Sequence, residues 1–403
     1  MTYTLKTFIA IGGERFSQLY EANAPGFPLF YPTAFIVRSI RPCTSHETQK
    51  VYLAAIKRVC EWESSRDIDL AMSFHCRRFL SAAQLDDLAN YLRASKLGGR
   101  NAVISNSKYN THLAYAAAYL RWLAHEVITD SNTRDARDAI DAQELMLLRK
   151  KRRKSGSKSA RQQHVLTAKL SDGARHQLLD LFDQPFEDLR QPQEYGTRLR
   201  NVVMLRVLYE TGMRFGELLS LKLKSFIEAG GGDSAYLDIE RNHHDPVDTR
   251  LNQPVAKTFG RRLPISAHLE EQLSAYRDNW RSTVQGVGFS EEDFIFIIHR
   301  GGPSQGQALT KTAFGTGLKN LKQAYGALGA VHPHLLRHDW NYRFSMKADS
   351  EGIPFEEECT LREQLMGWTP GSPMARLYNH RHIEEKSYEI GLKVASDTKR
   401  STQ

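Results

Sequence analysis

Long apolar runs are missing from this sequence. None of its 403 residues lies in a window of about eighteen uninterrupted apolar residues, the length a membrane-crossing helix needs. The opening MTYTLKTFIAIGGERF turns polar too soon for a secretory leader, so the chain is expected to stay in the cytoplasm with no membrane partner. Cysteine is scarce. The four present (Cys43, Cys60, Cys76, Cys359) are far apart and form no CxxC pair, which argues against a disulfide framework and a structural zinc site. No internal repeat or low-complexity tract is evident. With 41% hydrophobic and 25% charged residues, the composition is that of a globular chain with room for two or three domains. The one excess is positive charge, a formal +9, which favours a polyanionic partner without proving one.

Periodicity divides the chain. Residues 1–44 form an N-terminal arm of uncertain structure, in which FPLFYPTAFIVRSIRP reads as a packed arm or strand more than as a helix. From Ser45 onward, SHETQKVYLAAIKRVCEWE places Tyr52, Ala55, Ile56, Val59 and Trp62 at three- and four-residue steps behind a serine cap, the pattern of an amphipathic helix. LSAAQLDDLANYLRASKL, YNTHLAYAAAYLRWLAHEV and DARDAIDAQELMLLRK repeat it, giving an all-helical domain over 45–148. The basic run RKKRRKSGSKSAR follows and opens an interdomain linker over 149–165, with eight lysines and arginines and no acid. Such a run serves as a solvated tail, a localisation signal or a strap along a phosphate backbone. Its position between two folded segments favours the strap, with Arg149, Lys150, Lys151, Arg152, Arg153, Lys154, Lys158 and Arg161 on DNA.

A second domain is expected over 166–393, with a flexible tail at 394–403. LTAKLSDGARHQLLDLF and LRNVVMLRVLYETGMRFGELLSLKL are helical in period. SAYLDIER and the pair around VAKTFGRRLPIS then alternate, with Gly260 at a bend, which suggests a small antiparallel sheet. Helical patterns return at Thr310 to Tyr325, His334 to Lys347 and from Thr360 onward. The fold class is mainly α with this small β insertion.

Four segments hold residues suited to chemistry. In YETGMRFGELLSLK, Arg214 and Glu217 are three apart, which alone is best read as a structural ion pair on a helix. In VAKTFGRRLPI, Lys257 precedes the bend and Arg261 and Arg262 follow it; a solvated edge strand and a hairpin reaching into a nucleic-acid groove account for this equally. HPHLLRHDW carries His334, Arg337 and His338. A guanidinium one residue before a candidate ligand disfavours a cation and favours an anion, since the planar arginine fork suits phosphate oxygens, and no metal is expected. Finally LREQLMGWTPGSPMARLYNHRH places Trp368 ten residues before Tyr378, which alone reads as a core tyrosine.

In this order, TGMRFGELLSL, VAKTFGRRLPI, HPHLLRH, LMGW and LYNH resemble the tyrosine recombinase (phage integrase) family. Its pattern is an arginine in a TGxRxxEL helix, a lysine on a β-hairpin, HxLRH, then GH or GW, then a tyrosine. The resemblance covers residues 167 to about 393; residues 45–148 match only as the helical core-binding domain that usually precedes such a catalytic domain.

The resemblance implies a site-specific recombinase that uses no cofactor and forms a two-domain clamp on double-stranded DNA. It acts as a tetramer there, open to accessory directionality proteins, and integrates or excises a mobile element. Tyr378 would be the nucleophile that becomes a 3′-phosphotyrosine, and Arg214 and Arg337 would hold the non-bridging oxygens. Lys257 would be the general acid and His334 would accept the tyrosine proton. Trp368, where most relatives have histidine, would donate a hydrogen bond to phosphate, while Glu217 and His338 would orient the others and His332 would be incidental. The helix HIEEKSYEIGLKV would dock into a neighbouring protomer. Two departures stand out: the Trp368 to Tyr378 interval is one residue longer than usual, and DSEGIPFEEE (349–358) is an acidic insert read as a surface loop. A type IB topoisomerase and a non-catalytic DNA-binding protein on a decayed recombinase scaffold are the competing readings.

Overall fold

The alternating stretches YTLKTFI and RFSQLYE form an antiparallel hairpin, β1 (Tyr3–Ile9) and β2 (Arg15–Glu21), with Tyr3 opposite Glu21 and Ile9 opposite Arg15. This is a computed structural model that describes residues 2–23, 26–96, 102–153, 169–187, 189–256 and 258–396, without the side chains of 379–382, 384 and 385. The chain divides into two units, 1–156 and 157–403.

In the first unit the stretch expected to be an arm or strand is helical. α1 (Phe30–Phe35) continues to Ile40 with wider, i to i+5 hydrogen bonding. Its prolines explain the difference. Pro28 precedes the helix and Pro32 lies in its first turn, where a backbone N–H has no intrahelical partner to lose. This N-terminal stretch therefore contributes to the first unit's core, where Tyr3, Leu19, Phe35 and Ile36 are buried with Leu53, Ile56 and Trp62 of α2 (His46–Ser65). α3 (Leu70–His75), which periodicity did not flag, starts at Asp69, whose carboxylate accepts the Met72 N–H at 2.8 Å. α4 (Ala82–Arg93) begins with a Ser81/Gln84 capping box, and α5 (Asn106–Val127) and α6 (Arg134–Leu148) complete the bundle.

The start of the basic run is fixed to this unit. Asn110 bonds the Arg152 carbonyl at 2.8 Å and the Arg152 N–H at 2.9 Å, Asn106 bonds the Arg153 carbonyl, and Tyr109 the Lys150 carbonyl. Lys150 is half-buried and ion-paired with Asp86, whereas Arg149, Lys151, Arg152 and Arg153 are exposed. Lys154, Lys158 and Arg161 lie outside the described residues.

The second unit is built around α8 (Tyr195–Thr211), which follows α7 (Asp172–Asp183) and is buried on nearly all sides, from Leu199 to Leu208. The single helix expected over 199–223 is two, because Gly212 adopts a left-handed conformation and ends α8 before α9 (Phe215–Ser220) begins. The sheet has three strands in the order β3 (Phe226–Ile227), β4 (Tyr236–Ile239), β5 (Arg261–Pro264), all antiparallel. Gly260 is not the bend of a hairpin. Strand β5 pairs with β4 across the long connection 240–260, and Gly260 lies where a Cβ would stand 3.0 Å from the Ile239 carbonyl. Helices α10 (Ala267–Ala275), α11 (Lys311–Ala324), α12 (Pro333–Ser350), α13 (Phe355–Met366) and α14 (Pro373–Ser396) follow, and α12 packs against both α8 and α14.

The acidic insert is not a surface loop. Residues 349–350 end α12, and Glu356, Glu357 and Glu358 form the first turn of α13, where carboxylates complement the helix dipole. No described helix is long and apolar enough to cross a membrane.

Candidate active site

The break after α8 positions the first arginine. A Cβ on Gly212 would fall 2.7 Å from Trp340 Cγ, so only glycine lets the turn close against that indole. Trp340 Nε1 donates to the Glu210 carbonyl at 2.8 Å, and Arg337 Nη1 donates to the Gly212 carbonyl at 2.7 Å. The TG turn and α12 are thereby joined. Arg214 is extended (φ −74°, ψ 147°) at the N-cap of α9, not on a helix face as its spacing to Glu217 suggested.

Glu217 stands three residues into α9 and is fully buried. Its carboxylate accepts from the Arg214 backbone N–H (2.9 Å), Thr258 Oγ1 (2.6 Å) and Arg261 Nη2 (2.8 Å). Burial alone would raise this carboxyl; the Arg261 guanidinium and the other donors outweigh it and hold it below the usual carboxylate range. Arg261 also donates from Nε to the Leu365 carbonyl at 2.6 Å, at the end of α13. One carboxylate thus ties α9, the strand β5 and the Gly367 turn together. Gly367 itself has φ +64°, and a Cβ there would sit 2.9 Å from both Arg261 Nη1 and the Phe259 carbonyl.

This changes the reading of the two arginines after Gly260. Arg261, which a groove-reaching hairpin would place on nucleic acid and an edge strand in solvent, has its side chain 1% exposed against Glu217 and serves as an internal brace. Arg262 points to the other face and is exposed. Lys257 lies outside the described residues. Its neighbour Ala256 is buried in the core, and Thr258 is bonded to Glu217.

The first turn of α12 presents the opening histidines. His332 is not incidental: it is the N-cap, its Nδ1 accepting the Leu335 N–H at 3.1 Å, followed by Pro333 at the first helical position. His334 is exposed, and its ring lies 4.2 Å from that of the buried His338. The part of the ring turned toward the protein is desolvated, and this first, then the nearby Arg337, lowers the His334 pKa from its ordinary value and favours the neutral imidazole, which can accept a proton. His338 in turn is 5.3 Å from the Tyr378 ring.

Arg337 is 4% exposed, with Cζ 5.4 Å from the Trp368 ring centroid. Burial lowers its pKa, and next the Arg214 guanidinium, a like charge, does the same. Trp368 and Tyr378 stack with centroids 5.6 Å apart and planes within 10°. The longer interval between them is taken up by the turn Thr369–Ser372, where Glu363 accepts the Gly371 and Ser372 N–H groups at 3.1 and 2.8 Å. Tyr378 is 4% exposed; burial raises its phenol pKa, opposed chiefly by Arg337 and Arg214.

The structure therefore brings Arg214, Glu217, Arg337, His338, Trp368 and Tyr378 into one connected site, with His334 at its rim. Among the described residues, three buried donors in it have no hydrogen-bond acceptor: Arg214 Nη1, Arg337 Nη2 and Trp368 Nε1. Arg214 Nη1 has only a 3.5 Å ion pair with Glu217. Buried donors are normally satisfied, and three that converge beside a tyrosine form a receptor for an anion. Sequence reasoning missed Thr258, the inward role of Arg261, and a fully buried Arg362 on α13.

A family model described as the phage integrase family matches residues 182–383, half of the chain. The chain belongs to the phage integrase family. Among known relatives it is 33% identical over 206 residues to tyrosine recombinase XerC of Roseiflexus sp. strain RS-1, covering 51% of this chain and 53% of that protein. It is 28% identical over 163 residues to XerC of Bacillus licheniformis, covering 39% and 45%. The match thus spans about half the length of these integrase-family relatives. In fold, the chain is similar to the integrase of transposon Tn1549, solved in complex with a circular intermediate DNA, at a TM-score of 0.50 and 15% identity over 86% of this chain and 93% of that one.

Proposed function

We propose that this integrase-family chain is a site-specific DNA recombinase that cleaves and rejoins strands through a 3′-phosphotyrosine. The observation that carries the reading is the trio of unsatisfied buried donors, Arg214 Nη1, Arg337 Nη2 and Trp368 Nε1, around Tyr378. A scissile phosphate offers the acceptors they lack. As Tyr378 Oη bonds to phosphorus, negative charge builds on the non-bridging oxygens, and preorganised guanidinium groups stabilise that state more than the ground state. The phenol proton passes to His334, whose neutral imidazole suits it. The bond from phosphorus to the 5′-oxygen breaks, and Lys257, in the role that the family motif assigns, protonates the leaving oxygen. Attack by the 5′-hydroxyl of a partner strand reverses the step. The bond energy is kept in the ester, so rejoining needs neither a nucleotide nor a metal.

Two duplexes and four tyrosines must cooperate in such an exchange, so the working assembly is a tetramer on DNA. The exposed apolar side chains of Tyr388, Ile390, Leu392 and Val394 near the end of α14 support docking of that helix on a neighbouring copy. The reading extends to integration or excision of a mobile element in the cytoplasm; among the relatives in fold is a transposon integrase.

The test is a covalent trap. Purified protein is mixed with duplexes spanning the junctions that flank its gene and resolved under denaturing conditions. A protein–DNA adduct is expected with wild type and absent with Tyr378→Phe. An adduct that persists in Tyr378→Phe sinks the assignment, and robust relaxation of a plasmid without those junctions points to a topoisomerase instead.

A further inference from the structure

On the helix face that packs with the tyrosine lies a second charged cluster that the strand-transfer mechanism leaves unused. On α13, Cys359, Arg362 and Met366 are spaced at i, i+3 and i+7 and form one buried stripe. Cys359 and Met366 pack with Trp368, Ala375 and Tyr378 in a small apolar core. Arg362 occupies the same stripe and is 0% exposed. Its Nη2 bonds Glu358 and, at 2.6 Å, Ser345 Oγ, which itself donates to Glu358 at 2.7 Å. The guanidinium also stands over the Phe344 ring, its Cζ 5.2 Å from the centroid. Its Nε and Nη1 are buried with no acceptor among the described residues.

A buried ion pair with two unsatisfied donors is a poor way to stabilise a core; a well-packed apolar side chain in its place is often neutral or better. Charges kept at such a cost cluster at functional sites. We propose that Arg362 is a positioning residue that acts through Tyr378, as a fixed positive charge behind the phenol that favours its oxygen becoming anionic during attack, with Glu358 setting how much of that charge the tyrosine feels.

The inference rests on Tyr378 being the nucleophile. Among the described residues, the charged and titratable groups that face Tyr378 are Arg337 and His338 from α12, Arg214 from the N-cap of α9, and Arg362 with Cys359 from α13. Arg337 and Arg214 are the pair that the phosphate engages. Once their charge is shared with phosphate oxygens, Arg362, paired with Glu358, is among the described residues a cation near the phenol that the phosphate does not engage. Burial lowers the Arg362 pKa, opposed by Glu358 and, more weakly, by Cys359 and Tyr378.

The experiment reads the phenol directly. A ring-fluorinated tyrosine, which titrates nearer neutrality, is placed at position 378 of the full chain and followed by fluorine NMR against pH. Three backgrounds are compared: wild type, Arg362→Lys, and the double variant Glu358→Gln with Arg362→Met, which removes the pair as a unit so that no charge is left buried alone. The double variant is expected to fold, to move the phenol midpoint upward, and to slow adduct formation by about three- to tenfold at pH 7, with the rate recovering as pH rises. Arg362→Lys is expected to stay near wild type. A phenol midpoint unchanged in the folded double variant overturns the inference, whatever happens to cleavage. Absence of any adduct in wild type instead counts against the recombinase reading, and leaves the fluorine titration a valid measure of the coupling between Arg362 and Tyr378.

Discussion

At Gly367 a single hydrogen atom in place of a side chain decides whether two motifs can meet. Its φ of +64° and the 2.9 Å approach of Arg261 and the Phe259 carbonyl leave no room for a methyl group. Gly367→Ala is expected to lower stability by about 1–3 kcal/mol, read as a drop in urea midpoint. Gly315→Ala is the control: it lies inside α11 with nothing within 4 Å, and a gain of about 0.5–1 kcal/mol is expected. Equal effects at the two positions would show that close approach at Gly367 is unimportant. Single residues were unevenly legible in the sequence. Arg214, Arg337 and Tyr378 each had a plain structural reading alone, and only the order of their segments along the chain singled them out. Arg261 and Arg262 are chemically identical neighbours, and the sorting signal was the strand period: Arg261 is two residues before the buried Leu263 and shares its face, whereas Arg262 shares the exposed face of Pro264. Arg362 carried no signal, because nothing local tells a buried arginine from a solvated one on a helix whose first turn is acidic.

At the scale of elements, the joint between the N-terminal hairpin and α2 depends on an uncharged histidine. His46 Nε2 lies 2.8 Å from Ser17 Oγ, and burial, then Lys50, push its pKa down to about 4. The unfolded chain binds this proton near pH 6.5 and the folded one only near 4, so the contribution is complete above about pH 6.5 and is lost as pH falls toward 4. The loss is at most about 3 kcal/mol, and His46→Gln is expected to flatten that part of the stability–pH curve. Urea midpoints at pH 7, 5.5 and 4, followed by circular dichroism, measure it; parallel curves for the two proteins would rule it out. The long amphipathic helices of both units were readable because their period repeats over several turns. Two elements were misread for physical reasons. The prolines of residues 27–42 read as breaks although Pro28 and Pro32 stand where a helix starts, and the acidic insert read as solvent-facing although Glu358 turns inward to Arg362.

For the whole molecule, the +9 charge is meaningful only through where it is exposed. Lys151, Arg152 and Arg153 are exposed on a backbone held by Asn106 and Asn110, so three cations are presented at the end of the first unit. Replacing all three by glutamine is expected to weaken binding to duplex DNA of any sequence. It should also reduce the slope of log affinity against log salt by about 2 to 3, since each phosphate contact contributes roughly 0.9. Fluorescence anisotropy titrations between 50 and 300 mM salt give the slope; an unchanged slope would show that these residues do not touch the backbone. Composition raised the expectation of a polyanionic partner, and the ordered motifs gave the family. The sequence left hidden how the motifs hold one another, since contacts between residues 217, 258, 261 and 365 exist only once the chain has closed on itself.

That shared carboxylate has a consequence for how such a chain can change over time. Thr258, Arg261 and the Arg214 backbone all answer to Glu217, and Arg261 also fixes the turn at Leu365. A change at Glu217, Thr258 or Arg261, whose side chains make these bonds, strands a buried partner, so the effects of changes at these three positions are strongly epistatic. Drift in this region must move in concerted blocks across segments far apart in the chain, while Arg262, one residue away and exposed on the other face of β5, stands outside that network.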